Sequence, residues 1–372
     1  MNAHPSMFKR VLPFALGFLA VACRWETDLP SDAKAIHVQP NRELLITAPD
    51  IVSGPLASNR ESGPLSFRHA VGALPLAEDA TLAWLDAWSR RLAEEGNTER
   101  ARVFDEKLTC RWLRATATNH CDESCTSCES RHLAMDAAPF RLTAVVNRTD
   151  LSVMPDRAAE GGEGRLLFAL TDGASSALPF AVILEYAQAG SAREWTERWH
   201  ALGSALDFPA ALTALTETFV ASGALAQIRT ADAWTGPMVF HQFQLESGAI
   251  VPVNVRNTPD WTAVTADSLR TFASGNAKAI EEGTAVLPEP WWASYSSPAL
   301  VPPPWLTEVP QGDAIVRGTC AGCHAQSASG FHVAPTAKGD RQASSFLVAP
   351  SRERDELRRR VEWMQLALVR PD

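Results

Sequence analysis

The cysteines divide this 372-residue chain into three regions with different constraints on folding. One of the seven, Cys23, lies near the amino end, and two belong to the run Cys320-Ala321-Gly322-Cys323-His324. The remaining four lie close together: Cys110, Cys121, Cys125 and Cys128. Grouped cysteines form disulfides in an oxidising compartment and more often hold metals elsewhere, so the destination of the chain determines how they are interpreted.

The first 22 residues have the pattern of an export signal. Lys9 and Arg10 precede an apolar stretch of 12 residues, 11–22, which is short for a transmembrane helix. We therefore predict that residues 1–22 are a signal peptide and that the protein is exported.

The end of this signal resembles a bacterial lipobox. Small residues precede the cysteine in Ala20-Val21-Ala22-Cys23, although Ala20 stands where leucine is usual. The resemblance implies cleavage before Cys23 and a diacylglycerol group on its sulfur, so a lipid bilayer is the expected partner. Arg24, where aspartate would signal inner-membrane retention, favours the outer membrane or the cell surface. The alternative is ordinary signal-peptidase cleavage, which leaves Cys23 as an unmodified thiol.

The four central cysteines define a loop over residues 110–132. An even number of cysteines in an exported chain favours two disulfides among Cys110, Cys121, Cys125 and Cys128. The alternative is a zinc site that also uses His120 and His132. Cys128 is followed by Glu129, so this pair does not repeat the spacing found at residues 320–324.

The C-x-x-C-H run predicts covalent attachment of haem c. Two thiols on one helical turn can reach the two vinyl groups of a haem, and the following His324 then supplies the proximal imidazole. Cys320 and Cys323 are thus the predicted thioether positions. The alternative is a Cys320–Cys323 disulfide followed by an unrelated histidine.

Residues 76–287 predict an α+β body, with an antiparallel sheet and packed helices. Apolar residues recur at helical spacing within 78–108, 191–227 and 265–282. Three strands are expected within 140–187 and a hairpin within 238–255. We expect residues 161–164 to form a turn and His241 to lie on the polar face of its strand. The proline-containing residues 23–75 predict a lipid-anchored tether, and the Pro- and Trp-rich residues 288–311 predict an ordered linker.

Residues 312–324 resemble the first helix of small c-type cytochromes, which also ends in C-x-x-C-H. The amphipathic residues 353–368 resemble the last helix of those proteins, which crosses the first. The resemblance implies a small all-α, cytochrome c-like haem unit over residues 312–372. Such proteins usually take a methionine ligand from the loop before the last helix, but residues 325–350 contain none. His332 is therefore the preferred distal iron ligand, with Met364 or an open position as alternatives.

The whole chain resembles a group of uncharacterised exported bacterial proteins with three short motifs. Here these are Asn147-Arg148-Thr149-Asp150-Leu151, Gly162-Glu163-Gly164-Arg165-Leu166 and the terminal C-x-x-C-H. The resemblance supports the layout and implies no substrate. We expect Arg148, Asp150, Glu163 and Arg165 to form an ionic cluster at one end of the sheet, for which a structural role is the simpler interpretation.

The preferred function is a lipid-anchored monohaem c-type protein that binds haem or transfers electrons, with a redox partner protein. His324 and His332 are the expected iron ligands. One alternative is a non-haem structural or binding lipoprotein with three disulfides, including Cys320–Cys323. Another is an enzyme whose active site lies on the body, with haem as an electron relay, although the sequence shows no nucleophile elbow, zincin motif or paired catalytic carboxylates. The net charge of −9 argues against nucleic acid as a partner.

Overall fold

The computed structural model describes most of the chain beyond the predicted signal. Its described residues are 29–72, 74, 77–123, 125, 127–154, 160–171, 177–220, 224–234, 237–297, 301–324, 331–333, 343–344, 347–348 and 356–370. The predicted signal peptide and Cys23 lie outside them. Among the helices in these ranges, none combines the length and the apolar character needed to cross a bilayer.

A seven-stranded antiparallel sheet forms the centre of the fold, as the α+β prediction requires. Each strand pairs with the one before it in the chain, so the spatial order follows the sequence order. The strands are β1 (Leu45–Ile46), β2 (Phe140–Arg148), β3 (Glu160–Thr171), β4 (Ala177–Ala189), β5 (Leu225–Asp232), β6 (Val239–Glu246) and β7 (Ala249–Val253). The β6–β7 hairpin turns at Ser247 and Gly248, both with positive φ, which matches the twist of the two strands.

Helices precede, interrupt and follow the sheet. They are α1 (Ser31–Lys34), α2 (Pro40–Glu43), α3 (Pro49–Val52), α4 (Phe67–Gly72), α5 (Ala77–Glu94), α6 (Thr98–Phe104), α7 (Arg111–Ala115), α8 (Ala192–Ala201), α9 (Phe208–Val220), α10 (Ala266–Gly275), α11 (Ala277–Glu281), α12 (Gly312–Arg317), α13 (Cys320–His324) and α14 (Glu356–Val369). A π-helical segment, Asp105–Cys110, joins α6 to α7.

One face of the sheet, the helical face, carries the main hydrophobic core. Leu142, Phe168 and Val182 pair across β2, β3 and β4 and are completely buried. Aromatic side chains from the helices pack on them: the ring of Phe67 in α4 lies 5.4 Å from that of Phe168, and Trp84 in α5 stacks 6.4 Å from Phe67. Truncating any one of these rings to alanine costs about 3–5 kcal/mol in cores of this kind, so the body depends on this layer.

The opposite face, the polar face, carries charged residues in register. Arg165 on β3 pairs with Glu185 on β4, and Arg229 on β5 pairs with Gln242 on β6. Apolar residues of this face are covered by the C-terminal part of the chain, where Val333 and Leu347 pack on β1 and β2. The polar face is therefore an internal layer between the sheet and the C-terminal segment.

The glycines at 161–164 do not form the predicted turn; they lie inside β3. The register with β4 shifts between Glu160 and Glu163, and Gly162 has φ +91°, as in a β-bulge. A Cβ on Gly161 would lie 2.2 Å from the Trp195 ring, and one on Gly164 would lie 2.6 Å from the Phe219 ring. These glycines allow α8 and α9 to approach the strand, a requirement that sequence spacing does not reveal.

Two other predictions in the body were wrong. The sequence predicts a helix over residues 225–227, but these residues begin β5, an interior strand of the sheet. His241 lies on the helical face and is only 1% exposed. It is accommodated there because its Nε2 contacts the Glu95 carboxylate at 2.9 Å, which compensates for the loss of water.

The described part of residues 23–75 is not a tether. Ile46, Ile51 and Phe67 are fully or almost fully buried in the main core, and Leu45 and Ile46 pair with β2. The prolines in this stretch begin short helices: Pro40 opens α2 and Pro49 opens α3. Proline is favoured at that position because its missing N–H would be unpaired there in any case.

A separate cytochrome c-like unit is not confirmed. Ile315 of α12 packs in a second core with α10, α11 and the Trp-rich residues 288–311, where the Trp305 and Trp261 rings lie 6.2 Å apart. Met364 of α14 is instead completely buried in the main core. Residues on both sides of the predicted boundary at residue 312 therefore pack in the same cores. The C-terminal segment is part of the body and does not form a separate unit.

Candidate functional site

Local packing places the C-x-x-C-H run on a short helix that follows α12 closely. The Thr319 hydroxyl accepts a hydrogen bond from the Gly322 N–H at 3.0 Å, which caps the start of α13. A Cβ on Gly322 would lie 2.1 Å from the Val316 carbonyl oxygen, so glycine between the two cysteines lets α13 pack on α12. The Asn257 side chain donates to the Gly318 carbonyl at 2.8 Å and ties this junction to the body.

Cys320 carries a free, half-buried thiol at the beginning of α13. Its Sγ lies 3.7 Å from the carbonyl oxygen of Arg256. Cys323 belongs to the same helix, but its side chain lies outside the described part of the structure.

The two histidines proposed as iron ligands meet over the polar face. The rings of His324 and His332 stack with centroids 4.0 Å apart and an interplanar angle of 27°. Phe240 of β6 contacts the His324 ring at 4.3 Å. The His332 backbone carbonyl accepts from Ser344 N–H at 2.8 Å, and His332 Nδ1 lies 3.2 Å from Ser344 Oγ. The sequence predicted both residues, and the structure brings their side chains together.

The surroundings keep His332 neutral. Burial, then the neighbouring His324 and Arg360, lower the pKa of His332 to about 2. A neutral imidazole retains a nitrogen lone pair, which is the form that binds metals.

A layer of buried charges lies on the polar face. Arg165 Nε donates to Glu163 at 2.9 Å, and Arg165 Nη2 lies 3.2 Å from Glu185. On the other side, Arg229 Nε lies 3.3 Å from Glu185. Neither carboxylate side chain is exposed, and each is compensated by at least one guanidinium, as buried charges require. Burial lowers the pKa of Arg165.

A second group of charges, the ionic chain, joins the end of β2 to α14. Arg148 contacts Asp150 through Nε at 2.9 Å, and Asp150 also accepts from Arg359 at 3.0 Å. Arg359 in turn donates to Glu356 at 2.8 Å, and Arg360 Nε donates to Glu356 at 3.1 Å. Burial opposes ionisation of Asp150, but Arg148, Arg360 and Arg359 together hold its pKa well below the usual range.

The four residues that the sequence predicts as one cluster, Arg148, Asp150, Glu163 and Arg165, form two ion pairs, and each pair belongs to a separate group with further members. Glu185, Arg229, Arg359 and Arg360 were not singled out from the sequence. The available signal was a charged residue inside an apolar strand, as in Leu184-Glu185-Tyr186 and Ile228-Arg229-Thr230. A charged side chain at such a position needs a partner of opposite charge inside the fold. The neighbouring sequence does not show which residue that partner is.

Met364, the alternative distal ligand, faces another direction. Its sulfur lies 3.7 Å from Asn147 Nδ2 in the main core, and the residue is fully buried. Asn147 also donates to the Glu43 carbonyl at 3.0 Å, so the methionine belongs to a packed junction between α2, β2 and α14. Of the two residues, His332 is the one that adjoins His324.

The four central cysteines form two disulfides, Cys110–Cys125 and Cys121–Cys128. The sulfurs of Cys121, Cys125 and Cys128 lie within 4.8 Å of one another, which is the spacing of a metal cluster as well. Their disulfide bonds account for that closeness, because a metal would need deprotonated thiols. His132, counted in the zinc alternative, contacts Glu78 at 3.0 Å.

The Cys320 thiol and the two histidines are the types of group that hold a covalently attached haem. Their present arrangement does not accommodate one. Cys320 is a free thiol on a C-x-x-C-H helix, the His324 and His332 rings stack on each other, and Phe240, which contacts His324, belongs to an apolar cluster with Phe331. His324 and His332 would hold a haem iron through their ring nitrogens. In this structure the two rings stack face to face and leave no room for a haem between them.

Comparison with protein-family models, with curated proteins and with solved structures found no match to this chain. The functional conclusion therefore rests on the site itself.

Proposed function

We propose that the protein is an exported, lipid-anchored monohaem c-type protein that transfers electrons at a membrane surface. Cys320 and Cys323 attach the haem, His324 is the proximal ligand and His332 is the distal ligand. Anchoring through acylated Cys23 holds the protein at the outer membrane or cell surface, where it meets a redox partner protein. The bound haem supplies the one-electron chemistry.

The main support for this proposal is the stacking of the His324 ring on the His332 ring. The sequence shows only that one histidine follows the cysteine pair and that another lies eight positions later. In the structure their rings adjoin at 4.0 Å, on the side of α13 that faces the sheet. Two imidazoles on the iron would leave no free coordination position, which suits electron transfer better than ligand binding.

The state of Cys320 supports attachment over the disulfide alternative. Thioether formation adds each sulfur to one vinyl carbon and its proton to the neighbouring carbon, so the thiols must be reduced and no oxidant is consumed. Cys320 is a free thiol, whereas Cys110, Cys121, Cys125 and Cys128 are all oxidised in pairs. The alternative lipoprotein with a third disulfide requires Cys320 to be bonded to Cys323.

The sheet of the body would position the haem and set its electrostatic surroundings. The sheet beneath α13 supplies Phe240 and the compensated charges of Glu185 and Arg229. Fixed buried charges change little when an electron arrives, so little reorganisation accompanies transfer. The body therefore sets the electrostatic environment of the haem.

Haem attachment is tested by expressing the full chain with cytochrome maturation machinery and staining a denaturing gel for haem-dependent peroxidase activity. We expect a stained band at the mass of the chain plus one haem, absent from the Cys320→Ala/Cys323→Ala variant. Cys121→Ala/Cys128→Ala is the matched control and should keep its stain, because those cysteines form a separate disulfide. An unstained wild-type band whose Cys320 and Cys323 are recovered as a disulfide would establish the alternative.

The distal ligand is tested on the stained protein. His332→Ala should convert a low-spin visible spectrum to a high-spin one, whereas Met364→Leu, a substitution of similar volume in the core, should leave it unchanged. A low-spin spectrum that persists in His332→Ala contradicts this assignment without affecting haem attachment.

A further inference from the structure

The loop over residues 110–132 holds its two disulfides next to each other. The bonded pairs are Cys110–Cys125 and Cys121–Cys128, with sequence separations of 15 and 7. The sulfur of Cys125 also lies within 4.8 Å of the sulfurs of both Cys121 and Cys128. One sulfur of the first bond is therefore a neighbour of the whole second bond.

A short hairpin produces this approach. Cys121 and Cys128 pair across an antiparallel bridge, and the Asp122 N–H donates to the Ser127 carbonyl at 3.0 Å. The Cys125 N–H donates to the Asp122 carbonyl at 3.2 Å, which forms a turn between the two bridge positions. Cys125 itself has φ +54°, a left-handed conformation that residues other than glycine rarely adopt. The backbone of the hairpin therefore helps to keep Cys125 beside the second bond.

The four sulfurs differ in their surroundings. Cys110 is 5% exposed, whereas Cys121, Cys125 and Cys128 are each half-buried. Among the described residues, the group of three neighbouring sulfurs does not include Cys110. Disulfide exchange proceeds by attack of a thiolate on a disulfide sulfur that it can reach. The three half-buried sulfurs are therefore the ones that can exchange with a reagent and with each other.

We propose that this loop is a thiol–disulfide exchange site for a dithiol reductant and that Cys125 links its two bonds. One thiolate of the reductant attacks the Cys125 sulfur, and Cys110 leaves as a thiolate. The second thiolate of the reductant then attacks its own sulfur in the mixed disulfide, and Cys125 leaves as a thiolate. The reductant becomes a disulfide, its two protons pass to the released sulfurs, and two electrons enter the protein.

The Cys125 thiolate next attacks the neighbouring bond. It forms a disulfide with Cys128, three positions along the chain, and Cys121 leaves as a thiolate that takes up the proton given up by Cys125. Attack on the Cys121 sulfur frees Cys128 by the same chemistry. No further electrons are exchanged, and the product carries one new disulfide and two thiols, one of them on Cys110. Reduction that begins at one bond is thus shared by both.

The first test uses the full chain without substitution. A limiting amount of dithiothreitol, a dithiol, is added at about pH 8.5, where an ordinary cysteine thiol is half ionised. Free thiols are trapped with iodoacetamide and located by mass spectrometry of peptides. We expect chains with two trapped loop thiols to carry one label on Cys110 and the other on Cys121 or Cys128. Labels found only on the native pairs, Cys110 with Cys125 or Cys121 with Cys128, overturn the proposal.

Two single substitutions test whether the position of Cys125 is the cause. Cys110→Ala frees the Cys125 thiol beside the second bond, whereas Cys125→Ala frees Cys110, which is outside the group of three. Each variant keeps one free thiol and one native disulfide in the loop, so the two are matched. Disulfides that contain the freed cysteine should be at least about tenfold more abundant in Cys110→Ala, because a thiolate held beside its target reacts faster.

Equal exchange in the two variants overturns the proposal, since it would reflect the mobility of the loop and not the place of Cys125. A Cys125 thiol that remains entirely free in Cys110→Ala overturns it as well. If either variant fails to fold, the labelling of the unsubstituted chain decides. Neither measurement involves haem, so the result is independent of the proposed function.

Discussion

Replacing Glu356 by glutamine should remove a large part of the acid sensitivity of this protein. Glu356 lies at the start of α14 between Arg359 and Arg360, with 14% of its side chain exposed. Burial opposes its ionisation, but the two arginines lower its pKa to about 2, from 4.5 for an unperturbed group. Glutamine has almost the same shape and cannot ionise, so the substitution isolates the charge.

The size of the effect follows from the two pKa values. The folded state holds the ionised carboxylate more tightly than the unfolded state does, so the stabilisation is fully present above pH 4.5 and is lost as the pH falls towards 2. A difference of this size corresponds to about 3 kcal/mol, at ~1.4 kcal/mol for each pH unit. Asp150, whose pKa is lowered for the same reason, adds to the acid loss in both proteins.

The free energy of unfolding is measured by urea titration between pH 7 and pH 2, with tryptophan fluorescence as the signal. Wild type should exceed Glu356→Gln by about 3 kcal/mol at pH 7, and the gap should almost close at pH 2. Glu362→Gln on the same helix is the control: Glu362 pairs with the exposed Arg358, so its charge should contribute less than about 1 kcal/mol. Parallel pH profiles for wild type and Glu356→Gln would refute the reasoning.

Two further predictions concern the body. Replacing Cys110 and Cys125 together by alanine opens a loop with a sequence separation of 15 and should lower the free energy of unfolding by about 3 kcal/mol, measured in urea; a loss below ~1 kcal/mol would show that the unfolded loop is constrained by other means. Gly164→Ala should cost about 1–3 kcal/mol, because its Cβ would meet the buried Phe219 ring, whereas Gly275→Ala in α10 meets nothing and should be neutral or stabilising in the same assay.

The elements whose signals are local could be predicted from the sequence. Helical spacing of apolar residues located α5, and the alternation and turn residues located β2, β3, β4 and the β6–β7 hairpin. The grouping of four cysteines, in a chain that the sequence predicts to be exported, indicates two disulfides, which the structure contains. Each of these signals lies within a few residues of the element that it specifies, so no knowledge of the remainder of the chain is needed.

Only the tertiary structure decided how distant segments combine. The partners of Cys110 and Cys121 were open, since four cysteines allow three pairings. The C-terminal segment contributes to two cores, with Met364 in the main core and Ile315 in the second. Which core each residue joins depends on which surfaces meet in the fold. Amphipathic helices such as α14 show that one face will be buried but not against which element.

The candidate site shows the same difference between local signals, which the sequence contains, and tertiary contacts, which it does not reveal. The C-x-x-C-H run and His332 are visible in the sequence, and their chemistry could be predicted from residue type and spacing. That His332 stacks on His324, that Phe240 contacts His324 and that Arg165 pairs with Glu185 all depend on the tertiary structure. Burial makes those pairings obligatory, because a charge removed from water must find its partner wherever the fold provides one.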